Sequence, residues 1–100
     1  MKRTVMLQPE YLKLIEEILK HHLNVAATIW MFGSRVTGNA KKFSDIDLVI
    51  AANEPISFEI MAAIASDFEE SDLPYKVDIV DAATISELFR ENIQSQLILL

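Results

Sequence analysis

Cysteine is absent from this 100-residue chain. That excludes a disulfide frame and a thiolate zinc site, and it suits a reducing compartment. Glycine occurs only twice and proline three times, with no Gly/Ser-rich tract or repeat. Nothing marks a linker, so a single domain over residues 1–100 is expected. No apolar run approaches the roughly 20 residues that a membrane span needs. The N-terminal MKRTVMLQPEYLK carries no apolar signal-peptide core. A soluble, cytoplasmic protein is expected. Positive charge is also scarce: nine Lys and Arg stand against fifteen Asp and Glu, for a net charge of −6. The cationic surplus that drives non-specific nucleic-acid binding is missing, and no basic stripe replaces it.

The 51% hydrophobic content is enough for a core. Its spacing suggests the elements. Leu12, Ile15, Leu19 and Leu23 form one helical stripe, and Pro9 suits a first turn. VAATIWMF reads as a buried strand ending at Gly33, and DIDLVIA, residues 45–51, as a second. Ile60, Met61, Ile64 and Phe68 share a face of a helix that Ser57 would cap. YKVDIVDA is the third strand, with Asp81 closing it. Thr84 and Glu87 carry capping-box spacing for a last helix. The final SQLILL fits either a strand or an apolar tail that docks on a partner. The fold class expected is α/β (α+β), a small mixed sheet with helices packed on it.

Both glycines lie in MFGSRVTGNAKKFSDIDLVI, residues 31–50. Strand alternation puts Asp45 and Asp47 on one face, about 7 Å apart, with Ile46, Leu48 and Ile50 opposite as core. Two unpaired carboxylates on one face repel each other and resist desolvation. A divalent cation relieves both, and hard oxygen ligands suit magnesium. The bland reading is a strand end that surfaces into water. Asp78 lies on the face away from Val77 and Ile79. If the two strands are neighbours it joins the pair, for one or two metals. Gly33 permits close backbone approach, and the Ser34 hydroxyl and nearby N–H groups are phosphate donors. Arg35, Lys41 and Lys42 form a local basic island that suits binding of a substrate's phosphates; the bland reading is a glycine turn with a solvated Lys pair.

The combination is more specific than its parts. Gly33-Ser34, ten residues, then Asp45-Ile46-Asp47 and a later strand carboxylate resemble the nucleotidyltransferase superfamily of DNA polymerase β. The short chain looks most like the minimal nucleotidyltransferases (MNT), the antitoxin partners of HEPN-domain toxins. The resemblance implies that Gly33 and Ser34 hold the β- and γ-phosphates of ATP or another nucleoside triphosphate. It implies that Asp45, Asp47 and Asp78 hold magnesium, with Asp78 helping to activate the attacking hydroxyl. Thr37 stands where many members carry a basic residue, which leaves Lys41 or Lys42 for that contact. The implied reaction is AMP transfer from ATP to a HEPN-like partner protein. The alternatives are a binding module that neutralises its partner by contact, and a small-molecule nucleotidyltransferase of the aminoglycoside type. Pairing with itself or with a partner stays open.

His21 and His22 are adjacent, so their rings diverge on a helix and do not chelate; they read as helix-end residues. Glu59, Asp67, Glu69, Glu70 and Asp72 read as a solvated acidic face, or as a patch for a basic partner. Trp30 reads as core unless its face is open to a nucleobase.

Overall fold

The computed structural model describes residues 7–23, 27–38 and 44–100. The elements run α1 (Pro9–His22), β1 (Thr28–Phe32), α2 (Ser34–Thr37), β2 (Ile46–Ala51), α3 (Phe58–Glu70), β3 (Val77–Asp81), α4 (Glu87–Gln94) and β4 (Ile98–Leu99). The strands form one mixed sheet in the order β3-β2-β1-β4. β1 runs antiparallel to β2 and β4, while β2 and β3 are parallel. The parallel pair follows from α3, which carries the chain back across the sheet between them.

Strand alternation sorts the core into two layers. Met31, Ile46, Leu48 and Ile50 meet Ile15 and Leu19 of α1 and Ile64 and Phe68 of α3. Phe32 and Val49 face the other way and meet Ile93 of α4. Trp30 joins this second layer, half-buried. Phe89 packs edge-on against Phe32 with ring centroids 5.8 Å apart, a favoured aromatic geometry. His22 and Asp67 join α1 to α3.

Local signals explain most boundaries. Pro9 opens α1, and the Ser57 hydroxyl accepts the Ile60 N–H at the start of α3. Two expectations need correction. Ile60 lies outside the buried stripe of α3 and is exposed. Ser86, not Thr84, caps α4, accepting from the Phe89 N–H at 3.1 Å. Thr84 instead bonds back to the Asp81 carbonyl through both its N–H and its hydroxyl, closing the turn after β3. The apolar end is a strand: Trp30 pairs with Leu99 and Met31 with Ile98.

Asp81 explains the β3 end. It is buried, and its two carboxylate oxygens accept the Ile56 and Ala83 N–H groups at 2.7 and 2.9 Å. It ties the loop after β2 to the turn after β3. No helix among the described residues is long and apolar enough to cross a membrane.

Candidate active site

The register places three residues in a row. On β2, Asp47 pairs with Phe32 on one side and with Asp78 on the other. Gly33 follows Phe32 directly. Parallel neighbours in register point side chains to the same face, about 4.8 Å apart. Asp47 and Asp78 are therefore close like charges. Burial pushes the Asp47 carboxyl above its ordinary value, and the charges of Asp78 and then Asp45 push it further.

Asp45 reaches this group from outside the strand. The β2–β3 ladder begins where the Ile46 N–H donates to the Lys76 carbonyl at 2.9 Å, so β2 starts at Ile46. Asp45 stands just before it, exposed, and still repels Asp47.

Gly33 lies against the Asp47 carboxylate. Its φ of 85° and ψ of −160° fall in a region open essentially to glycine alone. A Cβ there would run into the Asp47 side chain, with Cγ 3.3 Å away. Sheet and turn thus bring backbone against carboxylate where any side chain would separate them. Ser34 follows as the first residue of α2, half-buried. Its hydroxyl makes no hydrogen bond among the described residues.

Arg35 departs from the phosphate-binding expectation. It is buried, with 5% of its surface exposed. Its guanidinium donates to the Ser44 carbonyl from Nε at 3.2 Å and Nη2 at 2.9 Å. It also lies 4.0 Å from the centroid of the Tyr75 ring, which meets Tyr11 edge-on. A planar fork over an aromatic face suits arginine and not lysine. Arg35 joins α2 to the residue before Asp45, and so holds the two arms of the site loop together. Lys41 and Lys42 lie outside the described residues.

Two residues at the site were missed in the sequence. Lys76 Nζ lies 3.6 Å from Asp78 Oδ1. The signal was available, since residues 76 and 78 have the same parity in the stretch YKVDIVDA read as the third strand. Gln96 accepts the Gly33 N–H through its side-chain carbonyl at 2.9 Å. No spacing announced that contact, because 63 residues separate the pair. A cleft of about 750 Å³ between α1 and strands β1 and β4, lined by Leu19, Leu23, Ile29 and Leu100, shares no residue with this site.

The family model for polymerase β nucleotidyltransferases matches residues 13–100. The chain belongs to this family. A curated relative from Haemophilus influenzae, named "Probable protein adenylyltransferase MntA", is 47% identical over 88 residues, covering 88% of this chain and 76% of the relative. The fold matches a solved toxin–antitoxin crystal structure with AMP-PNP at TM-score 0.75 and 24% identity, covering 87% of this chain and 69% of that one. It also matches a chain in a solved structure of a tri-AMPylated Shewanella oneidensis HEPN toxin in complex with MNT antitoxin, at TM-score 0.67 and 22% identity, covering 87% of this chain and 66% of that one.

In this nucleotidyltransferase the carboxylates suit a hard divalent cation by chemistry: all are oxygen donors, mutually repelling, one of them partly desolvated. Among the described residues no three acidic or imidazole groups close into a ligand set. Asp78 leans to Lys76 instead, in an exposed pair. Such pairs are worth about 1 kcal/mol or less, so Asp78 is released at little cost.

Proposed function

We propose that this nucleotidyltransferase moves AMP from ATP, with magnesium, onto a HEPN-type partner protein, as the antitoxin of a toxin–antitoxin pair. The observation that carries the reading is the row Gly33–Asp47–Asp78. It sets backbone that admits a phosphate chain beside carboxylates that repel one another. The relative's name and the two toxin–antitoxin neighbours support AMP as the group and a protein as acceptor.

The roles follow from placement. Gly33 and Ser34 receive the β- and γ-phosphates. Asp45, Asp47 and Asp78 hold magnesium, which supplies positive charge to the triphosphate when bound. Asp78, whose side chain is 46% exposed, takes the proton of the acceptor hydroxyl. That oxygen bonds to the α-phosphorus as the bond to the β-phosphate oxygen breaks, and pyrophosphate leaves. Arg35 holds the loop rather than the nucleotide.

Labelled ATP tests the reaction. With the cognate HEPN partner and magnesium, label on the α-phosphate is expected on the partner. Label on the γ-phosphate is expected in pyrophosphate. No α-label on the folded partner would overturn the proposal.

One observation favours a contact contribution besides. Phe58, Leu88 and Leu99 are exposed at 82%, 67% and 56%, apolar side chains open to contact with a protein partner. An Asp45→Asn chain that still neutralises the partner would assign neutralisation to contact rather than transfer.

A further inference from the structure

Gly33 has left the strand conformation, yet its amide is not left to solvent. The Gln96 side-chain carbonyl accepts it at 2.9 Å, as a backbone carbonyl would along a ladder. Gln96 is held in turn. Its N–H donates to the Ile93 carbonyl at 2.9 Å, in the turn that closes α4. Leu97 packs in the core layer of Phe32 and Ile93. Ile98 then pairs with Met31, two residues before Gly33. Gln96 is thus set beside Gly33 by contacts on both sides of it.

We propose that Gln96 is a positioning residue for nucleotide binding: its side chain holds the Gly33 amide and so fixes the turn against which the phosphates lie. The proposal rests on the reading of Gly33 and Ser34 as the phosphate loop and refines it. The Gly33 N–H is already spent. Gly33 contributes its conformation and its lack of a Cβ, and the phosphates are left the Ser34 N–H and hydroxyl. The α4–β4 turn, distant in sequence, becomes part of the nucleotide site.

The chain's two glycines make a direct test possible. Labelling with 15N-glycine gives two amide peaks, Gly33 and Gly38. Gly38 has φ of +87° with nothing near its Cβ position, so Gly38→Asn removes its peak and assigns the other. Gln96→Leu is expected to move the Gly33 peak and speed its hydrogen exchange, while the Gly38 peak stays. Calorimetric Mg-ATP binding is expected to weaken about fivefold, the equivalent of one ordinary hydrogen bond. Gln96→Glu keeps an acceptor at the same reach and is expected to restore the Gly33 peak. Gln96→Asn, one methylene short, replaces the leucine variant if that chain does not fold.

An unmoved Gly33 peak in Gln96→Leu, or Mg-ATP affinity equal to wild type, would overturn the proposal. Wild type that binds no Mg-ATP would instead overturn the nucleotide reading of the loop. The glycine spectra would still decide whether Gln96 holds Gly33.

Discussion

Asp47 stands against Gly33 so closely that a single Cβ on the glycine would collide with its carboxylate. Register places Phe32 opposite Asp47, and Gly33 then turns out of the strand with φ of 85°. Gly33→Ala meets both the collision and a conformation that alanine avoids. It is expected to cost about 2 kcal/mol or more, lowering Tm by about 10 °C. Thermal unfolding checks this; an unchanged Tm would mean that the turn is not held as described.

Asp47 itself is expected to oppose stability. Folded, it keeps its proton to higher pH than the unfolded chain does. Above the unfolded carboxylate value of about 3.9, the folded state then binds more protons, so its stability falls as pH rises until Asp47 is ionised in both states. Asp47→Asn removes the burden. It is expected to melt like wild type below about pH 4 and a few degrees higher near neutral pH. A variant less stable than wild type at pH 7 would contradict the raised carboxyl.

Arg35→Lys separates a structural from a phosphate-binding role. Lysine cannot fork to the Ser44 carbonyl and lie flat on Tyr75 at once. The change is expected to cost about 1–3 kcal/mol in denaturant unfolding. A phosphate contact would instead tolerate lysine, leaving stability intact and altering only ATP affinity.

Asp78 and Asp81 are three residues apart on one strand with opposite expected roles. Asp81→Ala orphans the Ile56 and Ala83 N–H groups, for an expected loss of about 2–4 kcal/mol. Asp78→Asn removes one exposed ion pair and is expected to leave the fold intact while abolishing transfer. Paired unfolding curves and transfer assays distinguish the two.

Much of this was legible in the sequence, for physical reasons that can be named. Ile46, Leu48 and Ile50 set the buried face of β2 by alternation, and so put Asp47 on the other face. Asp78 shares that face for the same reason. Glycine before Ser34 announced a turn that no other residue accepts. What alternation does not carry is where a ladder begins. Asp45 fell outside β2 because the first strand hydrogen bond is made by Ile46. Arg35 read as a phosphate ligand because charge is visible in sequence, whereas its partners, Tyr75 and the Ser44 carbonyl, are joined to it only by the fold. Gln96 gave no signal at all, and Ser86 displaced Thr84 as the cap because Thr84 was already engaged by the turn after β3.

The most direct test of the Asp47 centre is intact-mass spectrometry of the HEPN-type partner after incubation with ATP, magnesium and this chain. Wild type is expected to add the mass of one or more AMP units. Asp47→Asn, folded and at least as stable at pH 7, is expected to add none. Equal AMP addition by the two chains, or none by wild type on a folded cognate partner, would contradict the centre described.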